Sequence, residues 1–357
     1  MAPSRRPRGR RLCVICAEPT PNLLKGSFVG AAMALPTVPL PTAAPIPMAG
    51  PGAGAQQGGP ADAGAAERLK RRLRIIGNMK RIKHKIIVAS GKGGVGKSTV
   101  AVNLAATIAA SGKKVGILDM DLTGPNVPLM LGVRDSSMVE DGTGLVPVQV
   151  TENLRAISMQ FLLSEPDQAV VWRGPIKMQI IGQFLGDVAW GELDYLVIDL
   201  PPGTSDEPLS VAQNIPDADG VVLVTTPQEV AVGDVRKSAA FVQKLELPIL
   251  GVVENMSGLT LHGKTAPNTT VVLDTGVGHV QAFADGKGEF MVVVDVFKRG
   301  GGQAMAEKLG VPFLGAVPLD LRVMEGGDEG KPFALADADS PTRQAFRSIV
   351  AKLTAGH

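Results

Sequence analysis

The run Gly91-Lys92-Gly93-Gly94-Val95-Gly96-Lys97-Ser98, followed by Thr99, has the residue types and spacing of a cradle for a polyphosphate. Its glycines allow successive backbone N–H groups to turn toward one anion, and a helix starting at Lys97 adds its N-terminal dipole. Lys97 can reach the outer phosphates, and the Ser98 hydroxyl can ligate Mg²⁺. A loop of the form G-x-x-x-x-G-K-S/T needs one lysine, yet Lys92 places a second cation inside it. The expected ligands are a nucleotide and Mg²⁺, held by residues Gly91 to Thr99.

Carboxylates fall where such a loop would use them. Asp119 and Asp121 follow the apolar run 115–118, and Asp199 follows the run 195–198. Acids at the ends of buried strands beside a phosphate loop can hold Mg²⁺ directly or through water. Asp199 is the candidate metal carboxylate, with Ser98 beside it. Asp121 is the candidate for orienting or deprotonating an attacking water, and Asp119 supports it. Each acid also fits a helix cap or turn taken singly. Gly203, after two prolines, suits a switch whose N–H meets a terminal phosphate.

The elements that must position these residues alternate between short apolar runs and helical patterns. Strands are expected at 85–89, 114–118, 154–158, 194–198, 220–224, 249–253 and 312–316, and helices at 97–111, 175–186, 206–213, 231–245, 301–309 and 341–353. Continuous Val/Ile/Leu runs are those of strands buried on both faces. The alternation predicts an α/β fold, a doubly wound, mostly parallel sheet with its site at the C-terminal strand ends. Residues 261–294 break the rhythm. Runs at 269–273, 279–284 and 290–294, separated by Asp/Gly turns, predict a small antiparallel β insertion of two or three strands projecting from the domain.

Residues 1–62 read as an unpacked tail and 63–357 as the ATPase domain, with a basic amphipathic helix over 65–83 leading into the first strand. The first sixty residues hold 11 of the 27 prolines and carry about five net positive charges; the remainder is slightly acidic. That balance argues against a nucleic-acid face, as does an aromatic content of 4%. No apolar run is long enough to span a membrane. The two cysteines, Cys13 and Cys16, supply no disulfide framework, which fits a reducing, cytoplasmic setting. The Arg-rich, acid-poor start also fits an organelle transit peptide, or translation from a start upstream of the natural one.

GKGGVGKS, LDMD (118–121), DLPPGT (199–204), TTPQEVAVGDVRK (225–237) and ENMSGL (254–259) resemble the motifs of the MinD/Mrp deviant-Walker ATPases. GPNVPLMLG (124–132) and the stretches 172–210 and 297–320 resemble the Mrp/Nbp/ApbC-type iron–sulfur cluster carriers within that superfamily. The resemblance spans nearly all of 80–335. It implies an ATPase with a MinD-like fold, a homodimer with nucleotides near the interface, and delivery of clusters to apo iron–sulfur proteins. In such a dimer Lys92 would reach the phosphates of the opposite subunit, where a second cation offsets charge developing in phosphoryl transfer. Asn255 would contact adenine; on its own it reads equally as a turn asparagine.

The chain departs from the family at one place. Such carriers hold a Cys-x-x-Cys pair after ENMSGL, one pair per subunit bridging a 4Fe–4S cluster. Here Thr260-Leu261-His262-Gly263-Lys264 follows instead. Cys13 and Cys16 have the Cys-x-x-Cys spacing, and two subunits would bring four thiolates; the alternative is a chance pair of reduced thiols. His262 and His279 read as surface residues of the insertion. A MinD/ParA-like nucleotide switch or docking ATPase without a cluster is the competing expectation.

Overall fold

The computed structural model describes residues 60–121, 124–162, 174–204, 206–228, 237, 240–241, 243–276, 278–296, 300–335 and 340–355. Cys13 and Cys16 lie outside them. So does most of the helix expected over 231–245, although Lys237 and residues 243–245 are helical.

The central strand is β1 (Ile82–Ser90), and its side chains explain the layering. Ile86 and Val88 join one apolar cluster, whereas Ile87 and Ala89 join the other. Strand residues alternate between faces, so a run apolar at every position must be covered twice. The first cluster is closed by α2 (Lys97–Ala110) and α8 (Pro341–Thr354). The second is closed by α1 (Pro60–Met79), α4 (Gly174–Gly186), α5 (Asp206–Gln213) and α6 (Gly301–Leu309). Fully buried side chains such as Ile86 and Ile87 each contribute roughly 1.5–3 kcal/mol.

Along the sheet the order is β12-β9-β8-β1-β7-β2-β6-β5, with β13 also pairing β9. These strands are β2 (Val115–Asp119), β5 (Val148–Thr151), β6 (Leu154–Ser158), β7 (Leu193–Asp199), β8 (Gly220–Thr225), β9 (Ile249–Lys264), β12 (Glu289–Val294) and β13 (Phe313–Leu319). Pairing is parallel except at β5–β6 and β12–β9. The chain leaves β1 through α2 and returns at β2, two places away, so a crevice opens at the C-terminal end of β1. The doubly wound expectation therefore stands.

Several boundaries differ from those expected. The basic helix is α1, so Pro60–Asp62 is already helical, and β1 begins three residues before 85. The strand expected to stop at 253 runs on to Lys264 and carries ENMSGL inside it. It kinks where Met256 (φ 58°) and Gly258 (φ 80°) are left-handed, next to a register shift against β13. The insertion is also less separate than expected. β12 pairs with residues 259–264 of β9, extending the main sheet, while β10 (Thr270–Asp274) and β11 (His279–Phe283) form their own hairpin. Small elements without a strong sequence period, namely the β3 (Val139–Asp141) and β4 (Gly144–Val146) hairpin, α3 (Val127–Met130) and α7 (Leu321–Asp328), were not anticipated. Among the described residues no helix is long and apolar enough to cross a membrane.

Candidate active site

The phosphate loop leaves β1 at Ser90, whose Oγ donates to Lys92 O at 2.9 Å. Gly94 and Gly96 adopt φ of 79° and 77°, left-handed values that favour glycine. A Cβ on Gly96 would come within 2.2 Å of Asn255 Nδ2, so the position excludes larger residues twice over. α2 has no side-chain cap, which leaves its first-turn N–H groups facing the loop. A cavity of about 190 Å³ lies there, lined by Lys92, Gly93, Gly94, Lys97, Ser98, Thr99 and Asp121.

Neighbouring strands bring the acids to one level. Val88 of β1 pairs with Asp199 of β7, Asp199 with Asp119 of β2, and Asp119 with Ser158 of β6. Lys97 Nζ donates to Asp199 Oδ1 at 2.5 Å, with both side chains buried. Lys97 Nζ also lies 3.3 Å from Ser98 Oγ. Asp199 Oδ2 is buried without a hydrogen-bond partner among the described residues. Burial pushes the Asp199 carboxyl above the usual range, opposed by Lys97 and Ser98. Asp119 is equally enclosed, and burial with the Asp199 charge pushes it up to about 8. Its Oδ1 accepts from Asp121 N at 3.1 Å and its Oδ2 from Ser158 Oγ at 3.1 Å. Asp121 is half-buried and accepts from Gly124 N at 3.2 Å.

Two enclosed acids, Asp119 and Asp199, share one buried lysine, and a divalent cation beside them would hold both as carboxylates. The orphaned Asp199 oxygen gives such a cation a hard ligand beside Ser98. The residues present therefore fit Mg²⁺. Lys92 is exposed on the outer lip of the cavity.

Asn255 is not in a turn. It is buried in β9, and its Nδ2 donates to Val95 O at 2.9 Å, tying the phosphate loop to that strand. Gly203 N donates to Ser90 O at 3.1 Å, so in this structure its N–H is turned to the loop backbone. His262 and His279 lie on the insertion, paired across strands with Met291 and Asp274, and join no metal-ligating cluster among the described residues. Sequence reasoning missed two residues. Ser158 ends the apolar run of β6 just as Asp119 and Asp199 end theirs, and that position was the available signal. Glu254 is buried, accepts from Ser257 Oγ and Gly302 N at 2.6 Å each, and so fastens β9 to the start of α6.

A phosphate loop, its lysine and strand-end carboxylates at the switch point of a parallel sheet define a P-loop ATPase. A family model described as ParA: NUBPL iron-transfer P-loop NTPase matches residues 81–287 and 287–354, and the chain belongs to that family. It is 45% identical over 276 residues to the iron-sulfur cluster carrier protein of Methanocaldococcus jannaschii, covering 77% of this chain and 86% of that one. It is 44% identical over 281 residues to the cytosolic Fe-S cluster assembly factor NUBP2 of Homo sapiens, covering 78% and 94%. Among solved structures it is similar to the nucleotide-binding protein in complex with ADP from Archaeoglobus fulgidus, at 34% identity and a TM-score of 0.58, covering 74% of this chain and 94% of that one.

Proposed function

We propose that the chain hydrolyses ATP as a homodimer to assist the assembly of iron–sulfur clusters or their transfer to apoproteins, in a cytoplasmic setting. The observation that carries the ATPase chemistry is the buried Lys97–Asp199 pair beneath the phosphate loop, with Asp199 Oδ2 unsatisfied. Gly91 to Thr99 cradle the phosphates, Lys97 meets the outer ones, and Asn255 lies on the base side. Ser98 and Asp199 hold Mg²⁺ directly or through water, with Asp119 behind them. Bound Mg²⁺ would neutralise phosphate charge. Asp121 orients or deprotonates the attacking water, and Lys92 of one subunit reaches the nucleotide of the other. The cluster role is supported by the relatives at 44–45% identity, which are an iron-sulfur cluster carrier protein and a cytosolic Fe-S cluster assembly factor.

The cargo's ligands are a separate matter. The stretch after Asn255 is a paired strand with no cysteine, and no group of three metal-ligating side chains occurs among the described residues. The residues of β9 do not fit a cluster. Cys13 and Cys16 are the chain's only thiols, and two subunits supply the four that a 4Fe–4S cluster needs. Anaerobic reconstitution with iron and sulfide tests this on the full chain and on C13S/C16S. A cluster on the full chain that is lost in the variant supports carriage by these thiols. No cluster on either leaves a nucleotide switch acting through partners and overturns direct carriage.

A further inference from the structure

A second cavity, of about 410 Å³, opens at the far end of α2 from the phosphate loop, where α2 and α8 flank the start of β7. That volume lies in the range of small-molecule sites. Tyr195 is buried, 5% exposed, and stacks on His84 with ring centroids 4.9 Å apart. Tyr195 lines this cavity, and among the described residues no protein group hydrogen-bonds to its hydroxyl. Its oxygen is not among the fully enclosed polar atoms that lack a partner, so it reaches solvent and is open to a bound ligand. Ile108 and Val350 give the cavity apolar walls, and Lys113, Arg343 and Arg347 line its more exposed part.

The charges favour an anion. Arg343 and Arg347 stand one helical turn apart on α8, so their guanidinium groups can converge on one acceptor, and neither has an ion-pair partner among the described residues. Asp194, the nearby carboxylate, is already engaged by Lys83 at 2.8 Å and by the Lys114 amide at 2.9 Å, and it accounts for part of the Lys113 charge. The C-terminal end of α2 adds about half a negative charge, which two arginines outweigh.

The geometry points to a binding site for an amphipathic organic anion, with an apolar ring-sized body against Ile108 and Val350, an anionic head on Arg343 and Arg347, and the Tyr195 hydroxyl as donor. The site is independent of the nucleotide cradle, although its occupant would touch the helix that begins at Lys97. The probe is 2-naphthoate, titrated calorimetrically into protein saturated with Mg·ADP so that the phosphate loop is filled. The expected result is saturable binding at one site per chain. R343Q/R347Q should weaken it at least tenfold, Y195F several-fold, and the neutral 2-naphthalenemethanol should bind at least tenfold more weakly. Thermal melts and ADP affinity of the variants, unchanged from the parent, show that the fold is intact. Absence of saturable 2-naphthoate binding, or equal affinity in R343Q/R347Q, overturns the proposal. 2-Naphthyl phosphate, run in parallel, shows by its relative affinity whether the natural head is a phosphate or a carboxylate.

Discussion

Lys97 and Asp199 form a buried ion pair whose energetics can be separated from catalysis by a double-mutant cycle. At 2.5 Å and an effective dielectric of about 20, their attraction is about 7 kcal/mol. Desolvation of the two ions costs several kcal/mol each and largely cancels it. The pair as a whole is therefore close to neutral against an apolar substitute, while the loss of one partner strands the other. K97M leaves a carboxylate that is fully enclosed and already lacks a partner for Oδ2. D199N removes the counter-charge from Lys97 and leaves it only neutral acceptors in contact, the introduced amide oxygen and the Ser98 hydroxyl. Each single substitution should cost about 3–5 kcal/mol, K97M the more, and K97M/D199N should recover at least about 2 kcal/mol of the summed loss. Urea unfolding without nucleotide or Mg²⁺, near neutral pH and with unchanged m-values, reads these differences. All three variants should lose ATPase activity, so stability and turnover part company in the double variant. Single costs below about 1 kcal/mol that add within about 0.5 kcal/mol would refute the account of a buried ionic unit.

Three further outcomes are expected. G96A places a Cβ 2.2 Å from Asn255 Nδ2 at a φ of 77°, so it should lose about 1–3 kcal/mol of stability and at least tenfold in ADP affinity; calorimetry at parental affinity would contradict this. K92A should bind nucleotide nearly as the parent does yet turn over about 10²–10³-fold more slowly, as measured by phosphate release, and parental turnover would remove Lys92 from the chemistry. Asp320 caps α7 and accepts from Arg322 N, Nε and Nη2 at 3.1, 3.0 and 2.7 Å and from Thr342 Oγ1 at 3.1 Å. Burial pushes its carboxyl up, but these bonds outweigh burial and hold it below its ordinary value. A depressed carboxylate stabilises the fold above its unfolded pKa and ceases to do so as pH falls below about 4. D320N should therefore be less stable than the parent near neutral pH, by about 1–3 kcal/mol, with the gap narrowing as pH falls below about 4; a gap that stays constant on acidification would exclude the linkage.

The site was legible where chemistry and local structure coincide. Gly91 to Ser98 need no distant partner to declare themselves, and Asp119 and Asp199 sit at the ends of runs so apolar that only a central strand suits them. What brings those acids together is register between strands distant in sequence, and no local pattern encodes that. Asn255 was ambiguous for the opposite reason: Asn-Met-Ser-Gly has turn composition, but pairing with Val317 of β13 keeps Asn255 in the strand, which Met256 and Gly258 kink rather than end. The three apolar runs of the insertion, read as two or three strands, were legible from their alternation. Its partition was not, because β12 joins the main sheet through residues whose own strand character had been masked by Gly258 and Gly263.

A paired ribbon keeps its length, and β9 is such a ribbon with an anchored end. It is clamped beside the nucleotide cradle by Asn255 to Val95 and by Glu254 to α6, and its other end carries the insertion. From Asn255 to Lys264 it spans about 30 Å at the usual strand rise. The kink at Met256 and Gly258 sits close to the clamp. The arrangement is that of a lever with its fulcrum beside the short arm. A rotation of about 10° at the fulcrum would sweep the tip through about 5 Å over that span, so a change of a few degrees beside the phosphates would be enlarged at the insertion.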